Sequence, residues 1–81
     1  MQKQKIALSA MKNAQSGVVT EIKGGAEMCT RLEALGIRVG SRIQKKSSLI
    51  GSGPVIVLAG NSEIAVGHGM ASRIFVEVDE E

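Results

Sequence analysis

The chain has very few of the side chains that build catalytic and metal sites. Its 81 residues include one cysteine, one histidine, no tryptophan or tyrosine, and a single aspartate, Asp79, near the C-terminus. The lone cysteine, Cys29, excludes an internal disulfide and is too little for a structural zinc site. Catalysis by a nucleophile or an acid–base pair also needs an orienting group. The composition therefore predicts a binding protein without enzymatic activity and without a cofactor.

Cys29 and His68 are the exception to that prediction. If the fold brought them together, they would form a dyad or two ligands of a divalent metal, with Glu27 as a possible oxygen donor. The simpler interpretation is a cysteine packed against the core from a helix and a histidine in a loop, because free cysteine is readily buried. A module that binds a divalent metal therefore stays open as an alternative.

Aromatic side chains are almost absent, since Phe75 is the only one. Small barrels that bind single-stranded nucleic acid stack bases on aromatic rings, and grooves for proline-rich peptides are lined by such rings. The shortage disfavours both classes. The net charge is +2, and residues 1–78 carry ten basic side chains against five acidic ones. A basic barrel that binds nucleic acid or the ribosome therefore stays open as a second alternative.

Long hydrophobic runs are absent as well. The longest, Val55 to Ala59, is far too short to cross a bilayer. The N-terminus carries Lys3 and Lys5 without the apolar stretch or cleavage site of a secretory signal. A length of 81 residues leaves room for one domain. We therefore expect a single cytoplasmic domain over residues 1–78, followed by an acidic C-terminal tail at 79–81.

The segment from Gly24 to Gly40 has the pattern of one short helix. Large apolar side chains at positions i, i+4 and i+7 form a face that we expect to be buried: Met28, Leu32 and Leu35. Gly25 is the expected N-cap. Gly36 can adopt the left-handed conformation that ends a helix, which would let Ile37 contact Leu32.

The rest of the chain has the pattern of short strands separated by turns. Runs rich in β-branched residues predict strands at 17–22, 42–46, 54–59, 63–66 and 73–78. We expect residues 1–5 to be frayed, residues 67–72 to form a loop or a single helical turn, and Ser47–Gly53 to form a flexible loop that contains Leu49 and Ile50. About five strands with one helix after the first long strand favour a closed or nearly closed small β-barrel, which leaves few bare sheet edges.

A set of short motifs runs through residues 8–78 in a fixed order. The most specific is R-L-x-x-L-G-I-x-x-G, from Arg31 to Gly40; the others are Leu8–Met11, Val19 with Ile22, Gly53–Val55, Ile64–Gly67 and Ala71–Val76. Together these motifs resemble the FeoA family, the small ferrous iron transport protein A. The chain departs from that family at Ala14, where its members usually carry glycine in an early turn.

The resemblance implies an SH3-like small barrel, in agreement with the barrel expected from the strand pattern. It also implies a non-enzymatic cytoplasmic accessory protein that binds FeoB, a membrane ferrous iron transporter with a cytosolic GTP-binding domain. Such a protein acts at the inner face of the membrane and regulates the GTPase or transport activity of its partner. The same domain occurs as the C-terminal module of iron-dependent repressors, and fold resemblance by itself does not identify the partner.

The exposed flank of the helix and the basic strand after it are the first candidates for a contact with such a transporter. Basic side chains fit an acidic partner surface. The apolar pair in the loop fits either a partner contact or self-association, so a homo-oligomer is also possible. The predicted partner-binding residues are Arg31, Arg38, Arg42, Lys45, Lys46, Leu49 and Ile50.

Overall fold

The computed structural model describes residues 3–48 and 53–79. Strands supply most of the regular structure in those ranges. They are β1 (Lys3–Ala7), β2 (Ser16–Ile22), β3 (Arg42–Ser48), β4 (Val55–Ala59), β5 (Ser62–Val66) and β6 (Ile74–Asp79). The helical segments are a 3-10 turn (Leu8–Ala10), α1 (Ala26–Ala34) and α2 (His68–Ala71).

The strands pair antiparallel in one sheet with the order β1-β6-β2-β3-β4-β5. This confirms the predicted mainly β fold with a short helix after the first long strand, with two differences. The described sheet has six strands rather than five, and it is not closed, because β1 and β5 are its two edges. The 3-10 turn after β1 and the helix α2 after β5 contact each other, so the segments that follow the two edge strands meet.

The additional strand is β1, which comes from residues that we expected to be frayed. It pairs with β6 along its whole length. Ile6 packs against the core, while Lys3 and Lys5 form ion pairs with Glu77 and Glu21. The expectation of a frayed N-terminus was therefore wrong for Lys3 to Lys5, because pairing partners from distant parts of the chain order this polar stretch.

Helix α1 begins and ends as predicted. Gly25 is its N-cap. At the other end Gly36 has a φ of 93°, and its N–H donates to the Glu33 carbonyl at 2.9 Å. The Ile37 N–H donates to the Leu32 carbonyl, also at 2.9 Å, and both of these side chains are fully buried. These two bonds define a Schellman motif, which turns the chain sharply from α1 toward β3.

The predicted apolar face of α1 is buried only in part. Leu32 is fully buried and Met28 packs against the core, but Leu35 is 43% exposed. The expectation that Leu35 is buried was therefore wrong. The helix ends at Ala34, and Leu35 is the C-cap residue, with a ψ of −3°. Leu35 does not pack against the core, which α1 contacts through Leu32 and Met28.

The hairpin of β4 and β5 and the alternation of β6 are confirmed. Gly60 and Asn61 connect β4 to β5, and Gly60 has a φ of 63° while Asn61 does not have a positive φ. Glycine at the first position of a two-residue turn is the signature of a type II′ hairpin. In β6 the side chains of alternate residues point into the core and are buried: Ile74, Val76 and Val78. Residues 68–71 form the single helical turn α2.

Two strands are longer than predicted, and some predicted features lie outside the described residues. Ser47 and Ser48, expected in a loop, belong to β3, and Asp79, expected in the tail, is the last residue of β6. Leu49, Ile50 and the last two residues lie outside the described ranges. Within those ranges, the helices are too short and too polar to cross a bilayer.

Ala14 is the one described residue other than glycine with a positive φ, 72°. A side chain in this left-handed region costs about 1–2 kcal/mol, which glycine avoids. We expect Ala14→Gly to raise the free energy of unfolding by roughly 0.5–1 kcal/mol, because the greater freedom of glycine in the unfolded chain offsets part of the relief. Chemical denaturation measures this change. Ala34→Gly, at the last residue of α1, is the control and should lower stability by at most about 1 kcal/mol; a loss at Ala14 as well would contradict the explanation.

Candidate partner-binding surface

Lys45 is buried, which corrects the prediction that it belongs to an exposed basic cluster. Its side chain is 4% exposed, and its Nζ donates to the Met11 carbonyl at 2.6 Å. The Lys45 N–H donates to the Gln15 carbonyl at 2.9 Å, and its own carbonyl accepts the Ala14 N–H at 2.7 Å. Lys45 shares the inward face of β3 with the buried Ile43. Its ammonium group therefore fastens the segment before β2 to β3 and is not available to a partner.

Lys46 differs from Lys45 because the pairing of β3 with β4 shifts between Lys45 and Ser47. A shift of this kind is a β-bulge, which adds one unpaired residue to the strand. Lys46 is that residue, and its side chain is exposed. Lys46 therefore stays available for a contact, at a point where β3 bends.

Arg42 lies on the outer face of the sheet, where one acidic side chain neutralises it. Its guanidinium forms an ion pair with the Asp79 carboxylate. The neighbouring pairs are Lys5 with Glu21 at 2.5 Å and Lys3 with Glu77 at 3.9 Å. The outer face thus carries charges of both signs, in contrast to the single-sign patch of a nucleic-acid-binding surface. Exposed pairs of this kind add little stability, and their effect falls with salt.

Phe75, the only aromatic residue, lies on this outer face. The Lys5 and Lys23 ammonium groups lie 5.6 and 5.1 Å from the centre of its ring. These distances are within the range of a cation–π interaction. The ring is therefore occupied by the protein's own cations rather than presented as a platform for a base.

Glu21 gives this charge network a measurable signature. The hydrogen bond from the Lys5 ammonium lowers the pKa of the Glu21 carboxyl, and the charges of Lys5 and Lys23 lower it further. Because the folded pKa is depressed, the stabilising contribution is present above the ordinary pKa of glutamate and is lost as the pH falls through the folded value. We expect Lys5→Met to raise the pKa of Glu21, measured by NMR titration of its side chain. Lys3→Met is the control and should leave that pKa unchanged; an equal shift in both variants would contradict the assignment.

The candidate metal ligands are not assembled into a site in the described part of the chain. Glu27 and His68 are exposed, on α1 and α2, and Cys29 is half-buried with its Sγ 4.0 Å from the Gly24 carbonyl oxygen. Residues 3–48 and 53–79 contain no group of three or more His, Cys, Asp and Glu side chains placed to hold a metal ion. An open groove of about 650 Å³ beside β1 is lined by polar residues such as Lys12, Asn13 and Gln15, and none of the predicted site residues reaches it.

The C-terminal end of α1 and the turn after it present a different kind of surface. Leu35 and Val39 are 43% and 59% exposed, and they are the large hydrophobic side chains that the described residues leave exposed. Arg31 lies one helical turn before Leu35, so the two side chains are neighbours, and Arg38 is exposed next to Val39. We call these four residues the α1 surface: Arg31, Leu35, Arg38 and Val39.

Hydrogen bonds hold the second half of the α1 surface in place. The Ser41 hydroxyl accepts the Arg38 N–H at 3.1 Å and donates to the Gly36 carbonyl at 3.4 Å. The turn is tied to β2, because the Gly40 N–H donates to the Val19 carbonyl at 2.7 Å. Leu35 and Val39 therefore lie, with Arg31 and Arg38, on a part of the backbone that hydrogen bonds hold in place.

The structure brings together only some of the predicted partner-binding residues. Arg31 and Arg38 share the α1 surface, Arg42 is paired with Asp79, Lys45 is buried and Lys46 is exposed at the bulge of β3. Leu49 and Ile50 lie outside the described residues. Sequence reasoning missed Leu35 and Val39. Gly36 could have indicated the exposure of Leu35, because it predicts that the helix ends there. A residue at the end of a helix need not share its buried face.

Comparisons with known proteins agree on one family. A family model described as the FeoA domain matches residues 6–78. The putative Fe(2+) transport protein A of Methanocaldococcus jannaschii is 34% identical over 70 residues, which cover 86% of this chain and 83% of that protein. A crystal structure of an iron uptake regulatory protein, FeoA, is 32% identical with a TM-score of 0.85, covering 94% of this chain and 99% of the other.

Two further structures extend the likeness. The FeoA protein of Stenotrophomonas maltophilia, solved with zinc and described as a prokaryotic SH3 domain protein, is 26% identical with a TM-score of 0.69, covering 91% and 89% of the two chains. A manganese-dependent transcriptional repressor has a TM-score of 0.85 at 20% identity and matches over 98% of this chain but 44% of its own. At that identity the repressor shows a shared fold alone. The chain therefore belongs to the FeoA family and has the SH3-like fold of that family.

Proposed function

We propose that this chain is a non-enzymatic cytoplasmic accessory protein of ferrous iron uptake. It binds the membrane ferrous iron transporter FeoB at the inner face of the membrane and regulates the GTPase or transport activity of that protein. The observation that carries the proposal is the FeoA family match, which spans residues 6–78. The name of the archaeal relative, an Fe(2+) transport protein, supports the same process.

The α1 surface is the best-supported place for the contact. The fully buried core of an interface is more apolar than its polar rim, and charges in the rim set specificity and the rate of association. Leu35 and Val39 provide such a centre, and Arg31 and Arg38 provide the charge. The matching surface on the transporter is a small apolar patch with acidic residues around it.

Charge reversal tests this surface. We expect Arg31→Glu combined with Arg38→Glu to weaken binding to the purified cytosolic part of the transporter by at least about tenfold at physiological salt, because attraction to acidic residues becomes repulsion. The remaining binding should also depend less on salt concentration. Isothermal titration calorimetry at two salt concentrations measures both effects.

The control is a variant with the same change in net charge at exposed residues outside the α1 surface: Lys12→Glu with Arg73→Glu. It should bind within about twofold of the natural chain, since distant surface charges act weakly across a Debye length. Equal weakening by both double variants would remove the α1 surface from consideration. Absence of any binding by the natural chain, shown to be folded and tested against the full-length transporter as well, would count against the proposed function itself.

A further inference from the structure

Strand β5 is an edge of the sheet, and its backbone can accept another strand. It pairs with β4 on one side only among residues 3–48 and 53–79. Ala59 and Ser62 close the two-residue turn of this hairpin, and such a closing pair is hydrogen-bonded. Bonded and non-bonded pairs then alternate along an antiparallel ladder, so Ile64 and Val66 bond to β4. The N–H and C=O groups of Glu63 and Ala65 therefore point away from β4, toward the free edge.

The two edges of this sheet differ in how they resist pairing. Natural edge strands avoid association through short length, charged side chains (lysine above all), proline or a bulge. The other edge, β1, carries Lys3 and Lys5 within its five residues. Strand β5 has the sequence SEIAV and pairs with β4 in an unbroken register from Ser62 to Val66. It has no lysine, proline or bulge, and Glu63 is its one charged side chain.

We propose that β5 pairs antiparallel with β5 of a second copy of this chain, around a two-fold axis at Ile64. In this register Glu63 lies opposite Ala65 of the second copy, and Ile64 lies opposite its own equivalent. Glu63 and Ala65 are the residues whose backbone groups point away from β4. They therefore exchange hydrogen bonds across the axis as a bonded pair. The two sheets join into one continuous sheet with a two-fold, self-complementary interface.

Charge favours a second copy as the occupant of this edge. Like charges directly opposite each other on neighbouring strands are destabilising. Glu63 is the only charged residue of β5, and two-fold pairing at Ile64 places it across from the small, uncharged and exposed Ala65. The strand can therefore pair with itself without bringing two carboxylates together. The α1 surface takes no part in this contact, so the result does not depend on transporter binding.

Substitutions at Ala65 test the register directly, because this position faces Glu63 of the second copy. Ala65→Glu places two carboxylates opposite each other twice in the dimer and should weaken self-association by about two- to thirtyfold. Ala65→Lys makes two ion pairs at the same places and should strengthen self-association by a factor in that range. Sedimentation equilibrium up to about 1 mM protein measures both, since small interfaces give weak association.

Both variants change an exposed side chain, and thermal unfolding at low concentration checks that each one folds. The proposal also predicts that the Glu63 and Ala65 amides exchange with deuterium more slowly as protein concentration rises, while the Lys46 amide does not. A natural chain that stays monomeric at the highest concentration would overturn the proposal. So would a dimer that Ala65→Glu and Ala65→Lys change in the same direction.

Discussion

Replacing Gly17 by alanine is expected to lower the free energy of unfolding by about 3 kcal/mol or more. A Cβ atom at this position would lie 2.4 Å from the Glu77 carbonyl oxygen, 2.6 Å from Cγ1 of Val76 and 2.9 Å from Cα of Val78. Two of these atoms belong to the backbone of β6, which cannot move without separating β2 from β6. Overpacking of a core commonly costs 1–3 kcal/mol, and a backbone clash belongs at the upper end.

Chemical denaturation followed by circular dichroism measures this loss. A domain of this size has a total stability of only about 4–12 kcal/mol, so the variant will be much closer to unfolding at room temperature. Gly69→Ala is the matched control, because a Cβ there meets nothing within 4 Å and the residue lies within α2. It should be neutral or slightly stabilising. Equal stability of the two variants would contradict the close approach of β2 and β6.

Removing the buried ammonium group is expected to have the second large effect. Lys45→Met keeps most of the side-chain volume but leaves the Met11 carbonyl without its donor, and a buried carbonyl that loses its partner costs about 1–3 kcal/mol. Lys45→Ala also loses the packing of the aliphatic stem and should cost about 3–5 kcal/mol in total. The free energies of unfolding of the two variants measure these terms separately.

The neighbouring residue provides the control for Lys45. Lys46 is exposed, and Lys46→Met removes the same charge without leaving a buried group unpaired. It should change stability by less than about 0.5 kcal/mol. If Lys46→Met destabilised the chain as much as Lys45→Met, the effect would come from net charge and not from the bond to Met11.

Features set by short-range chemistry were predictable from the sequence. The end of α1 follows from glycine at position 36 and an apolar residue after it, and the structure shows the corresponding hydrogen bonds. The hairpin follows from a glycine-containing turn between two runs of β-branched residues, and the burial of β6 follows from its alternation. In each case the residues that decide the structure are close together in the chain.

Features that depend on distant pairing were not predictable in the same way. The polar start of the chain becomes β1 only because β6 and Glu21 supply its partners. Lysine is usually a surface residue, so the sequence predicts that Lys45 is exposed. Its ammonium group points inward because the Met11 carbonyl accepts a hydrogen bond from it. The sequence predicts that Arg42 is a free, exposed cation. In the structure Asp79, which is distant along the chain, neutralises it.

The candidate surface was predictable in part. The motif that includes Arg31 and Arg38 pointed to the outer flank of α1, and both side chains are exposed there. The apolar half of the surface, Leu35 and Val39, was missed because Leu35 matches the helical period of the buried face. Leu35 is the C-cap residue, directly after the last helical residue, Ala34. A sequence pattern does not fix the end of a helix to within one residue.

The most direct test of transporter binding through the α1 surface is an NMR titration of this chain, labelled with nitrogen-15, with the purified cytosolic part of the ferrous iron transporter. We expect the largest shifts or line broadening at the amides of residues 31–41, with little change along β5. The charge-reversed variant Arg31→Glu with Arg38→Glu should show much smaller changes at the same concentrations. Perturbations confined to β5 or to the outer face around Phe75, with residues 31–41 unaffected, would contradict the proposed docking surface.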